Sequence, residues 1–116
     1  MPEQKKRNRF GLTGRDMKAI QTIFESYPEV KTVYVFGSRA KGNYRTGSDV
    51  DLAIMNEGIS IKRLSRLRSD FEESSLPYKI DLVDFTHIEK QEFIDHINRV
   101  GVPFFVQNEN IHLPKE

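Results

Sequence analysis

Apolar positions along this chain repeat with two different periods, and the period changes at each turn signal. Met17, Ile20, Ile23 and Phe24 recur at helical spacing behind Thr13 and Asp16, an N-cap followed by an acid in the first turn, which predicts an amphipathic helix over 13–26. Tyr27-Pro28 ends it, because a residue before proline is pushed out of the α region. Residues 31–36 are a β-branched and aromatic run, Lys-Thr-Val-Tyr-Val-Phe, and predict a strand. The three glycines within 37–48 predict a loop with room for one helical turn, and 50–55 predict a second strand.

Ser60 is placed to cap a helix from 61 to about 74 whose apolar stripe is Ile61, Leu64, Leu67 and Phe71. Pro77 breaks that pattern, 78–83 read as a third strand, and Thr86-x-x-Glu89 has the form of a capping box opening a helix over 88–99. Gly101 suits a helix end, and 102–106 read as a strand that Pro103 confines to a sheet edge. This order of elements predicts an α/β (α+β) fold: one sheet with helices packed mainly on one face. The expected layout is a single domain over 12–106, preceded by a flexible basic tail over 1–11 and followed by a tail over 107–116.

Composition narrows the chemistry. A chain of 116 residues fits one domain, and with no cysteine it has no disulfide, no thiolate metal site and no thiol nucleophile. A net charge of +1 argues against a nucleic-acid coat, although Lys5, Lys6, Arg7 and Arg9 cluster before the first helix, and Lys62, Arg63, Arg66 and Arg68 cluster on the second. No apolar run is long enough to span a bilayer and Met1 leads into charge, so the expected location is the cytoplasm.

The chemistry is concentrated in Gly37-Ser38, ten residues, then Asp49-x-Asp51. Four fixed residue types at this spacing arise by chance about once in a thousand chains of this length. Successive strand residues point to opposite faces, so Asp49 and Asp51 share one face while Val50, Leu52 and Ile54 take the other. Two neighbouring carboxylates repel, and a divalent cation is the usual compensation; magnesium suits them because it takes a couple of carboxylates and completes its shell with water and phosphate oxygens. Asp81 falls on the same face of the third strand with Lys79 and Val83, and would act as a third acid, taking a proton from an attacking hydroxyl or helping to hold a second metal. Asp84 has the opposite parity and reads as a strand-end surface residue or a helper for the helix that follows. Gly37 permits close backbone approach, and Ser38 begins a short helical turn ended by Gly42. Free N–H groups there, with Arg39 and Lys41 adding charge, make a site for NTP phosphates.

Gly37-Ser38, Asp49-x-Asp51 and Asp81 together resemble the signature of the polymerase-beta-type nucleotidyltransferase superfamily, and the short chain resembles its minimal (MNT) branch, the antitoxin halves of HEPN/MNT toxin–antitoxin pairs. The resemblance spans about 13–105. It implies a small mixed sheet flanked by helices, phosphate binding by Gly37 and Ser38, Mg2+ on Asp49 and Asp51, and Asp81 as the third catalytic carboxylate. It also implies transfer of AMP from ATP to a hydroxyl acceptor, a tyrosine of a small helical HEPN-type partner. A partner is expected on a second ground, since about a hundred residues suffice for the transferring core but leave little for an acceptor pocket. The competing reading is a non-catalytic antitoxin with a vestigial nucleotide site; self-association stays open, and nucleic-acid binding is the weakest alternative.

The remaining candidates read as structural. His87, His96 and His112 lack metal-ligand spacing. The basic face of the second helix reads as solvated, with a partner contact as the alternative. Tyr44 and Arg45 are loop residues that would stack on a base or steady a phosphate if they act at all. Phe104-Phe105 reads as core, or as an interface on an edge strand.

Overall fold

The computed structural model describes residues 6–107. Its elements run in the order α1 (Gly14–Glu25), β1 (Thr32–Phe36), α2 (Gly37–Lys41), β2 (Val50–Ile54), α3 (Ile61–Glu72), β3 (Ile80–Asp84), a 3-10 turn (Phe85–His87), α4 (Gln91–Val100) and β4 (Val102–Val106). The four strands form one mixed sheet in the order β3-β2-β1-β4, with β2 parallel to β3 and β1 antiparallel to both its neighbours.

Thr13 caps α1 through a full capping box with Asp16, each side chain bonding the other's backbone N–H at 3.0 Å. Ser60 caps α3 by accepting from the Arg63 N–H at 3.1 Å. The apolar stripes of both helices cover one sheet face, where Ile20, Phe24, Leu67 and Phe71 pack with Val33, Val35, Val50, Leu52, Ile54 and Leu82, except that Ile61 at the start of α3 is exposed. Full burial of side chains of this size contributes about 1.5–3 kcal/mol each, which makes this layer the principal core. The helices are not all on that face. Helix α4 covers part of the other face, where Ile97, Phe93 and Val100 meet Phe36, Ala53, Met55 and Val83. The strands carry apolar residues on both sides away from the acids, so both sides need cover.

The start of α4 differs from the capping-box reading. The Asp84 Oδ1 accepts from both the Thr86 N–H (3.0 Å) and the Thr86 hydroxyl (2.7 Å), which winds 85–87 into the 3-10 turn. Thr86 is therefore already engaged, and α4 begins only at Gln91 with no side-chain cap. Asp84 serves the turn after β3, as its parity suggested, but it is buried rather than on the surface.

The expected N-terminal tail is partly folded. Residues 1–5 lie outside the described residues; from Arg7 onward the chain is a tight loop in which the Asn8 Oδ1 accepts from the N–H groups of Phe10 and Leu12 at 2.9 and 3.0 Å. Phe10 and Leu12 are buried, and Phe10 packs on Phe104. At the other end, Gln107 belongs to the domain: its buried amide donates to the carbonyls of Phe24, Tyr27 and Val30 at 3.1–3.3 Å. Residues 108–116, including His112, lie outside the described residues. Pro103 lies on edge strand β4, beside the irregularity that lets Phe105 stack on Phe24 and turns Phe104 toward Phe10. Two members of the basic cluster on α3 are structural. Arg63 pairs with Glu29 at 2.5 Å, and Arg68 donates twice to the Leu82 carbonyl (2.7 and 3.1 Å), capping an outward-facing group of edge strand β3.

Candidate active site

Strand register builds the site. Phe36 of β1 lies opposite Asp51 of β2, and Asp51 lies beside Asp81 of β3, so the three form one row across the sheet. Asp49 precedes β2 by one residue and shares the Asp51 face by alternation. Asp49 and Asp81 are exposed and Asp51 is half-buried. The chain leaves Phe36 directly into Gly37-Ser38, which sets the expected phosphate turn against the acidic row.

Gly37 is required there twice over. Its φ is +75°, a left-handed conformation that other residues adopt only with strain, and a Cβ at this position would collide with the Asp51 carboxylate. Helix α2 follows, with no side chain capping its first turn and with Gly42 closing it in the left-handed conformation at φ +87°. The uncapped N–H groups beside Ser38 are what an anionic oxygen can occupy. Gly37→Ala should therefore weaken the transfer reaction expected at this site about 100-fold, as expected when reacting groups move by around 1 Å. It should also destabilise the fold by about 1–3 kcal/mol, the usual cost of forcing a side chain into this backbone region. Steady-state kinetics and denaturant titration read the two effects separately.

The carboxylates repel one another. Burial, then Asp81 and Asp49, push the Asp51 carboxyl up from 3.8 to about 6, against an opposing pull from Arg39. Among the described residues no three acidic or histidine side chains already close into a complete metal cage. The face instead offers an open, under-compensated set of acids. That suits magnesium, which needs only one or two protein carboxylates when phosphate and water supply the rest.

A pH dependence follows. Native Asp51 holds its proton more tightly than the unfolded chain does, so stability falls as pH rises from about 4 through about 6 and stays reduced above. A bound divalent cation stabilises the ionised form and reverses that penalty. Thermal unfolding should show stabilisation by magnesium at about pH 8 that disappears at about pH 5. Equal stabilisation at both values would place the ion elsewhere.

Of the expected phosphate contacts, Lys41 is exposed in the last turn of α2 and Ser38 is half-buried beside Gly37. Arg39 departs from expectation. It is 2% exposed, and its guanidinium donates to the carbonyls of Phe10, Ser48 and Asp49 rather than facing the turn's opening. Tyr44, weighed as a base-stacking residue, lies against that guanidinium, and so does Tyr78. Arg45 is exposed, and its N–H donates to the Ser48 hydroxyl at 2.9 Å. His87 pairs with Asp84 at 3.0 Å, and His96 packs against Phe36 with the two ring planes nearly perpendicular. The part of Phe10 and Tyr78 in supporting the site had no sequence signal, because it depends on which segments fold against Arg39.

The polymerase beta nucleotidyltransferase family matches residues 18–110. The chain is 31% identical over 104 residues to the probable protein adenylyltransferase MntA of Haemophilus influenzae, covering 89% of this chain and 90% of that protein. A toxin–antitoxin solved with AMP-PNP superposes with a TM-score of 0.63 at 19% identity, over 84% of this chain and 78% of that one. A mutant MntA–HpeT toxin–antitoxin superposes at 0.60 and 17% identity, over 83% and 77%. At such identities the two structures speak to the fold, and the fold is the same.

Proposed function

The chain belongs to the polymerase beta nucleotidyltransferase family, and on that premise we propose that it transfers AMP from ATP to a tyrosine hydroxyl of a small helical HEPN-type toxin, acting as its antitoxin. The observation that carries this reading is the row Phe36–Asp51–Asp81, which sets two acids beside the Gly37-Ser38 turn with Asp49 on the same face. The turn's N–H groups and the Ser38 hydroxyl hold the phosphates that leave as pyrophosphate, and Lys41 at the rim adds charge. Asp49 and Asp51 would hold Mg2+, which when bound neutralises charge developing on the phosphoryl oxygens. Asp81, exposed on the edge strand of the sheet, accepts the proton of the incoming hydroxyl as its oxygen bonds to the α-phosphorus and the bond to pyrophosphate breaks. An edge position is what a protein acceptor needs, because a bulky partner must bring its hydroxyl alongside that carboxylate.

Co-expression with the toxin of the same source tests the biological role. The chain should silence the toxin and leave AMP on one of its tyrosines, detected by mass spectrometry. The Asp49→Asn/Asp51→Asn double variant should do neither. Silencing retained by the double variant would mean that the chain acts by covering its partner and that the nucleotide site is vestigial.

A further inference from the structure

We propose that Arg39 is a positioning residue: a buried latch that holds the phosphate turn, the first acid and the strand of the third acid in one arrangement. This rests on the transferase reading above, but it concerns a residue that touches neither nucleotide nor metal in that reading. Arg39 is carried by α2, the helix that begins with Gly37-Ser38. Its Nε donates to the carbonyls of Ser48 (3.2 Å) and Asp49 (3.3 Å), and its Nη2 donates again to Ser48 at 2.8 Å. Its Nη1 donates to the carbonyl of Phe10 in the N-terminal loop at 2.7 Å. The Tyr44 and Tyr78 rings lie against the guanidinium, with centroids 5.1 and 4.6 Å from its carbon. Tyr78 in turn donates through its hydroxyl to the Asp16 carboxylate at 3.1 Å, and lies three residues before Asp81.

One side chain therefore ties the helix that follows Gly37-Ser38 to the loop that ends at Asp49 and, through the Tyr78 ring, to the residues leading into β3. Loop 42–49 places Asp49, yet its closest regular element is the strand that begins only at Val50. The Arg39 fork fixes the last two carbonyls of that loop. Lysine cannot replace it, because three donors on one nitrogen cannot reach three carbonyls that a planar fork spans. The N-terminal loop is built to the same end: a Cβ on Gly11, at φ +78°, would meet the Tyr44 ring at 2.6 Å and the Arg39 Nη1 at 2.9 Å.

Arg39→Lys in the full chain, assayed with ATP, magnesium and the toxin partner, tests the latch. The kcat for AMP transfer should fall roughly 100-fold while KM for ATP stays within about threefold, the pattern of misplaced groups rather than lost substrate contacts. Without nucleotide or metal, amide exchange at Ser48 and Val50 should speed up by about tenfold or more, with Val35 and Leu67 unchanged. A KM for ATP raised about tenfold at unchanged kcat would make Arg39 a phosphate ligand and overturn the proposal. Exchange that speeds up equally everywhere, with kcat kept, would reduce Arg39 to general stability and overturn it too. Should Arg39→Lys fail to fold, Tyr44→Leu removes one wall of the latch from a partly exposed loop. It should lower kcat about tenfold and loosen the same two amides, and wild-type behaviour in both would refute the latch. If the unmodified chain transfers no AMP, the transferase reading fails by itself, and the exchange measurement still decides whether Arg39 holds the loop.

Discussion

Asp51→Asn should yield a protein that melts higher than the original in the absence of metal and is nearly inactive. The amide keeps the shape of the carboxylate and removes the charge that burial, Asp81 and Asp49 oppose strongly enough to push this group up to about 6. The metal-free fold therefore loses a repulsion, and the gain should be largest above about pH 6, where the native carboxylate would be ionised. The same change removes half of the pair expected to hold magnesium. Several kcal/mol of transition-state charge stabilisation go with it, and at about 1.36 kcal/mol per tenfold, transfer should fall by three to four orders of magnitude. Magnesium should no longer raise the melting temperature. A purely structural Asp51 would give the opposite result: a variant that melts lower and still transfers.

Asp81→Asn should behave differently, because its carboxylate accepts a proton in the proposed reaction. Loss of a positioned general base lowers rates by about 10²–10⁴-fold. Binding of ATP with magnesium should change little, since the phosphate turn and the Asp49–Asp51 pair are intact. The residual rate should rise about tenfold per pH unit until the proposed acceptor tyrosine ionises unaided near pH 10, because hydroxide then does what Asp81 did. Single-turnover measurements over a pH series separate this from a metal-binding role, which would appear as a higher magnesium requirement and a flat pH response.

The sequence was most informative where alternation and spacing are enough. The spacing of Gly37-Ser38 to Asp49-x-Asp51, with strand parity, placed Asp49, Asp51 and Asp81 on one face, and the register of β2 against β3 puts Asp51 beside Asp81. Helix α1, the Ser60 cap and the short helix ended by Gly42 were legible because caps and left-handed glycines act over a few residues. Features set by distant contacts were not. Thr86 has the form of a cap, but Asp84 lies two residues away and engages it first. The basic run near the N-terminus suggested a loose tail, and only Asn8 and the burial of Phe10 and Leu12 reveal a folded loop from Arg7 onward. An arginine one residue after Gly-Ser invites a phosphate role, and nothing local to it announces that three carbonyls claim its guanidinium.

Parallel incubations of the chain, the proposed toxin partner and magnesium with ATP labelled at the α- or the γ-phosphorus test the central claim most directly. Label from the α-position should become fixed to a tyrosine of the partner while γ-label leaves entirely as pyrophosphate, since the acids are read as acting at the α-phosphorus and the Gly37-Ser38 turn as holding the pyrophosphate that departs. Protein-bound γ-label would show phosphoryl transfer instead, and no bound label from either position would contradict nucleotidyl transfer by this site.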